Sequence, residues 1–229
     1  MWTARIAIGL AAMVGALMLA ALWSVGAGSR PFTIPSGSMT PTLLPGDYLW
    51  AGPLGPIDEV RRGDVVVLEH PARPGVLFVS RVVGLSGDRV AMVEGRPVVN
   101  GAPAERRALA PFEQPRSAIG PACARPDPDR EVCAIPRFEE VSADGARYET
   151  LDALAGPLDT TAEARVPEGH AFLLGDHRDN ALDSRVPQTA GGLGMVPLEN
   201  LRHKNGRVLF STAFDTDRFW IDIAPNSGP

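Results

Sequence analysis

The stretch Leu77-Phe78-Val79-Ser80-Arg81-Val82-Val83 reads LFVSRVV. A strand alternates its side chains, so Phe78, Ser80 and Val82 share one face and Val79, Arg81 and Val83 share the other. Both faces are mainly apolar, as in a strand covered on both sides. Ser80 and Arg81 are the polar intrusions. Upstream, after Arg61-Arg62-Gly63-Asp64, Val65–Glu69 (VVVLE) is a β-branched run and reads as a second strand. Downstream, a Ser-Gly-Asp turn leads to Arg89–Glu94 and a hairpin return over Arg96–Asn100. Further out, Phe32-Thr33-Ile34 reads as a short strand, Ser36-Gly37-Ser38 as a tight turn, and LLPGDYLWA as a strand after a Pro-Gly turn. Ala171–Leu174 is another strand, and the tail from Arg207 to Ile223 holds one or two more. The expected fold is mainly β.

The chain has 229 residues, enough for one compact domain or a core with one insertion. Its 24 Gly and 22 Pro favour strands joined by many turns. A net charge of −5 gives no reason to expect a nucleic-acid partner. Residues 103–165 differ from the rest. They are Pro-rich, Ala-rich and acidic, with weak periodicity, and read as an inserted subdomain between core segments 30–102 and 166–229. No metal-ligand spacing is present, and neither a metal nor a cofactor is expected.

After a short tail of residues 1–5, residues 6–29 carry no charge and are mostly apolar. As a helix they span about 36 Å, against a hydrocarbon core of about 30 Å. They are expected to form a transmembrane anchor. The rival is a cleavable signal peptide with Val25-Gly26-Ala27 at its cleavage site, although the run exceeds the usual h-region of about 7–15 residues. The only two cysteines, Cys123 and Cys133, flank a polar, turn-like segment. A hairpin-closing disulfide is expected there, the alternative being two unrelated buried thiols. Such a bond belongs to an oxidising compartment.

Three polar segments lie far apart: Ser36-Gly37-Ser38-Met39, Ser80–Asp88, and Gly175–Arg185 (GDHRDNALDSR). Each alone reads as a turn or a loop pinned by Arg–carboxylate forks. Together, and in this order, they resemble the type I signal peptidase family. The resemblance rests on Ile34-Pro35-Ser36-Gly37-Ser38-Met39 with Pro41-Thr42-Leu43, on Arg62-Gly63-Asp64-Val65-Val66, and on Arg81, Val83-Gly84-Leu85 and Gly87-Asp88. It ends with Gly175-Asp176, Arg178-Asp179-Asn180 and Asp183-Ser184-Arg185. It implies an all-β serine endopeptidase that removes signal peptides from exported preproteins after an Ala-x-Ala end. The enzyme would be monomeric and anchored once in the bacterial inner membrane, with its catalytic domain on the periplasmic side. The cysteine pair resembles a disulfide of some members. Ser38 would be the nucleophile, and Ser36 with the Ser38 N–H would donate to the oxyanion. Arg81, Asp176, Asp183 and Arg185 would support the site, the last two as an ion pair.

The resemblance breaks at the general base. Bacterial members carry a lysine where this chain has Ser80, and a serine that orients it where this chain has Ala181. A serine hydroxyl is too weak a base to replace a tuned amine, and Arg81 does not deprotonate. Lys204, the only lysine, reads as a solvated loop residue in LRHKNGRV. His177 is the remaining candidate base within a matched segment; His70, His170 and His203 lie near strand ends or loops. Three readings stay open. One is a working signal peptidase with its base elsewhere, and one is an impaired paralogue that binds signal-peptide-like segments or joins another membrane complex. The third is a specialised maturation peptidase of the same fold.

Overall fold

The computed structural model describes residues 9, 13–16, 19, 28–54, 60–115, 132–142, 144–212 and 216–227. In chain order the strands begin with β1 (Arg30–Thr33), β2 (Asp47–Pro53), β3 (Val65–Glu69), β4 (Leu77–Leu85), β5 (Arg89–Val93) and β6 (Arg96–Val99). There follow β7 (Ala102–Pro103), β8 (Glu105–Ala108), β9 (Phe112–Pro115), β10 (Val132–Ile135), β11 (Arg137–Val141) and β12 (Ala146–Leu151). The last six are β13 (Ala164–Arg165), β14 (His170–Leu174), β15 (Val196–Pro197), β16 (Leu201–Ser211), β17 (Ile221–Asp222) and β18 (Asn226–Ser227).

The protein is mainly β. Its principal sheet runs β1-β2-β16-β3-β4-β14-β15, with β17 on β16. A small sheet, β13-β5-β6-β7, packs beside it, and two more, β18-β12-β11-β8 and β9-β10, form the region after residue 103. Every pairing within these sheets is antiparallel.

The alternation read from LFVSRVV sets the layers. Val65 and Val67 of β3 pair with Arg81 and Val79 of β4, and the two valines pack with Ile34, Met39, Leu43 and Leu49. On the other face, Val66 and Leu68 join Val82, Leu173 and Leu201, with Phe78 against them. A third cluster of Val83, Val90, Met92, Phe172 and Leu174 joins the principal sheet to the β5–β6 hairpin. Burying each such side chain is worth about 1.5–3 kcal/mol, so β3 and β4, flanked by apolar layers, are the centre of the fold. Gly84 sits where this junction is tightest. A Cβ there would stand 2.6 Å from Val90 Cγ2.

The tail from Arg207 to Ile223 holds the end of β16 and β17, as expected, but the segment leading into it differs from expectation. LRHKNGRV is not a loop; it is most of the 11-residue β16, which crosses between β2 and β3. Its polar run hides the strand because the register shifts there, with Asn205 at φ 47 and Gly206 at φ 130. Any Cβ on Gly206 would meet the Trp50 carbonyl at 2.3 Å. The region after residue 103 also carries more regular structure than its weak periodicity predicts. Strand β12 does alternate, but the buried positions are Ala146, Tyr148 and Thr150, not a run of valines. Strand β13, near the end of that region, pairs with β5 of the core hairpin.

Most of the expected 6–29 anchor lies outside the described residues. Of its described positions, 9, 13–16 and 19 are helical and 28–29 are not. No helix among the described residues is long and apolar enough to cross a membrane.

Candidate active site

The turn at Ser36-Gly37-Ser38 leaves the end of β1. It is fixed from behind by backbone bonds, Ile34 N–H to Asp47 O at 2.9 Å and Gly46 N–H to Ile34 O at 2.8 Å. Met39 and Leu43, just past the turn, are buried in the first core cluster. Ser36 is exposed and Ser38 half-buried, with their hydroxyl oxygens 3.3 Å apart.

The segment after β14 closes on this turn. Strand β14 pairs with β4 as far as Leu174–Arg81, so Ser80 and Gly175 come just past the end of that ladder. His177 N–H then donates to Ser38 O at 3.0 Å. A Cβ on Gly175 would lie 2.8 Å from Ser38 O and 2.3 Å from Ala181 Cβ, so only glycine allows this approach. The segment is held by its own fork. Arg185 donates from Nε and Nη2 to the two Asp183 oxygens at 2.9 Å each. Asp183 also accepts from Gly175 N–H at 3.1 Å.

Arg81 anchors the same segment from β4. It is 1% exposed and forks onto Asp176 at 2.7 and 2.6 Å. It also donates to Gly63 O at 2.7 Å and to Thr42 Oγ1 at 3.2 Å, and stands 4.3 Å from the Tyr148 ring centre. Thr42 in turn donates to Asp176 at 2.5 Å. Burial, aided by Glu140, pushes the Tyr148 phenol well up, so it stays neutral against Arg81. Thr42 and Tyr148 were not singled out from sequence. Thr42 lies in a matched segment and was readable in principle. Tyr148 lies where no pattern pointed to the site.

A groove of about 630 Å³ opens beside Ser36 and Ser38. Ile34, Met39, Val67, Leu77, Phe78 and Val79 make it mainly apolar, with Asn180 and the exposed Leu182 at its rim. Both flanking strands offer an edge. Among the described residues, β1 pairs only with β2, and β4 has no partner on its second side from Leu77 to Ser80.

Ser80 is buried, and its hydroxyl makes no hydrogen bond among the described residues. Of the candidate bases, His177 hydrogen-bonds Ser38 through its backbone N–H. Its ring is buried, Nδ1 has no hydrogen-bond partner among the described residues, and desolvation lowers its pKa against the opposing pull of Asp179. Lys204 stands on β16, 3.9 Å from Asp64. His70 accepts from Ala72 N–H at 3.1 Å, His170 contacts Glu168 O at 2.8 Å, and His203 contacts Gly28 O at 3.2 Å. No cluster of metal-ligating side chains occurs among the described residues.

A family model described as signal peptidase, peptidase S26, matches residues 6–211. The chain belongs to the S26 signal peptidase family. Signal peptidase I of Pseudomonas aeruginosa is 30% identical over 192 residues, covering 75% of this chain and 61% of that protein. The Pseudomonas fluorescens enzyme is 32% identical over the same coverage, and that of Rickettsia typhi is 30% identical over 211 residues, 80% of this chain and 72% of the relative. The chain thus spans about three fifths of the length of its Pseudomonas relatives. A signal peptidase I structure from Enterococcus faecalis V583 overlays at a TM-score of 0.33 with 17% identity, covering 63% of this chain and 95% of that one.

Within this S26 chain, Ser36, Ser38, Gly175, His177 and Ala181 come together past the ends of β1 and β14, while Ser80 lies on β4 opposite Val66, next to the Arg81 that forks onto Asp176. Lys204 is bound up with Asp64 elsewhere on the principal sheet. Cys133 is buried beside Ile135 and Leu151 and is not free. Cys123 lies outside the described residues.

Proposed function

We propose that the chain is a membrane-anchored serine endopeptidase of the signal peptidase I type, removing signal peptides from exported preproteins after an Ala-x-Ala end. The anchor is the 6–29 segment, and the β core lies on the extracytoplasmic side, where a Cys123–Cys133 bridge is stable. The observation that carries this reading is the seating of Ser38 at the mouth of an apolar groove flanked by two free strand edges. An extended peptide would pair its backbone with β1 and β4 and place small side chains against Ile34, Met39 and Val79.

In this reading Ser38 Oγ attacks the scissile carbonyl carbon. The developing oxyanion receives the Ser38 N–H, which no backbone acceptor among the described residues uses, and the Ser36 hydroxyl. The fixed Ser38 carbonyl, held by His177 N–H, orients that donor. The Ser38 proton needs an acceptor. Ser80 is too weak to take it alone, and His177 is the one histidine in the loop that meets the turn. Without a tuned base, the oxyanion donors and binding alone support roughly 10³–10⁴ over water.

A second reading, an impaired paralogue that holds signal-peptide-like segments, is favoured by the pairing of Ser80 with Ala181. One experiment separates the two. Purified protein in detergent is given an Ala-x-Ala preprotein beside Ser38→Ala and the double variant Ser80→Lys/Ala181→Ser. The expected result is slow cleavage that Ser38→Ala abolishes and that the double variant raises about 10²–10⁴-fold. Cleavage no faster than in Ser38→Ala would remove the enzyme reading. No gain in the double variant would mean that the groove is no longer built for cleavage.

A further inference from the structure

The 103–165 region meets the loop of the candidate site at several bonds from backbone N–H groups, such as Leu151 N–H to Asp176 O and Ala153 N–H to the Asp179 carboxylate, and at one buried carboxylate. Glu140, on β11, has no solvent exposure. Its Oε2 accepts from Arg178 Nη2 at 2.6 Å, and its Oε1 accepts from Arg106 Nη2 at 2.7 Å and Nε at 3.1 Å. Arg178 is also buried and lies one residue after His177. Its Nε donates to Gly175 O at 3.1 Å and its Nη1 to Gly95 O at 3.1 Å. The Arg178 carbonyl accepts from Arg185 Nη2 at 2.6 Å. Every polar group of this arginine side chain is therefore turned toward either the region after residue 103, the β5–β6 turn or the loop that touches Ser38.

We propose that Glu140 is a positioning residue for the nucleophile turn: through Arg178 it holds Gly175 and His177, and through them the Ser38 carbonyl. The reasoning is electrostatic. A buried guanidinium needs a counter-charge or it must reach water. Glu140 is the only carboxylate within ion-pair distance of Arg178 among the described residues. If its charge is removed, Arg178 turns toward solvent and gives up its bond to Gly175 O. The short approach of Gly175 and His177 to Ser38 then loses its hold at Gly175 O and keeps only the anchors on Asp176 and on Gly175 N–H. Arg106 is the outer arm. It reaches Glu140, Asp152 at 2.8 Å and Gly95 O at 2.8 Å, but no atom of the 175–185 loop.

The role rests on the proposed nucleophile for its importance but not for its test, which needs neither substrate nor turnover. Amide exchange is followed by NMR in the wild type, in Glu140→Gln and in Arg106→Gln. Glu140→Gln is expected to speed exchange of the His177 amide about tenfold or more, with amides of β2 and β3 unchanged. Arg106→Gln is expected to loosen β8, which carries it, without that effect. Unchanged His177 protection in Glu140→Gln, or an equal rise at every amide, would overturn the proposal. Should Glu140→Gln not fold, the wild type decides in low urea. His177 is expected to open together with β11; a His177 amide still protected after β11 has exchanged would overturn it.

Discussion

Arg81 and Asp176 show how much one buried pair can fix. Four groups converge on the Arg81 guanidinium: Asp176, Gly63 O, Thr42 and the Tyr148 ring. Asp176→Asn keeps the shape but leaves the arginine charge buried and uncompensated. A loss of about 3–5 kcal/mol in urea unfolding is expected, with the fold otherwise retained. A loss below 1 kcal/mol would mean that Arg81 has another outlet. His177 gives a prediction of a different kind. Burial lowers its pKa in the folded state. The unfolded chain therefore takes up the proton first as pH falls, and stability is lost from about pH 6.5 downward. His203, also lowered by burial, contributes in the same sense. In His177→Asn the drop in unfolding free energy between pH 7.5 and pH 5 should be smaller than in the wild type. An equal drop would show that the His177 ring is not the group that titrates.

At the scale of elements, the loop after β14 is the part whose exact path matters most. Gly175→Ala forces a methyl group into Ser38 O and Ala181. Overpacking of this kind costs about 1–3 kcal/mol, and here the yielding partner is the nucleophile turn itself. The expected outcome is loss of Ser38-dependent cleavage in the Ser80→Lys/Ala181→Ser background. Gly52→Ala, where nothing stands within 4 Å, should leave that cleavage unchanged. Equal activity in both would mean that the turn does not depend on Gly175. The same comparison marks what could be read from sequence. Strands β3 and β4 were legible because valine runs between turn residues have few other readings. The Ser36–Ser38 turn and the 175–185 loop were legible as motifs. Their meeting was not, because it depends on a glycine contact between residues about 140 apart in the chain. The first half of β16, before Arg207, was missed because its polar middle carries a register shift, and Glu140 was missed because a buried carboxylate leaves no periodic signal.

For the whole molecule, the question is whether the region after residue 103 is a passenger on the β core. The contacts say that it is not. Arg62, beside β3, donates to Asp88 of the core at 2.8 Å and also pairs with Asp144 between β11 and β12. Tyr148 of β12 covers Arg81, and Leu151 N–H donates to Asp176 O at 2.9 Å. Strand β18, at the far end of the described chain, completes the sheet of β12, β11 and β8. Independent domains share few contacts of this kind and unfold separately. Here the shared contacts include a buried charge pair and a backbone bond, so separating the two parts uncovers the Arg81–Asp176 pair and leaves Arg178 without Glu140. One cooperative transition is expected. In a variant whose other three tryptophans are Phe, Trp50 on β2 reports the core by fluorescence, and exchange of β11 and β12 amides reports the other region. Their urea midpoints should coincide, and in Tyr148→Ala both should fall together. If β11 and β12 open at a lower urea concentration while Trp50 stays native, the region is an accessory, and the core holds its site without it.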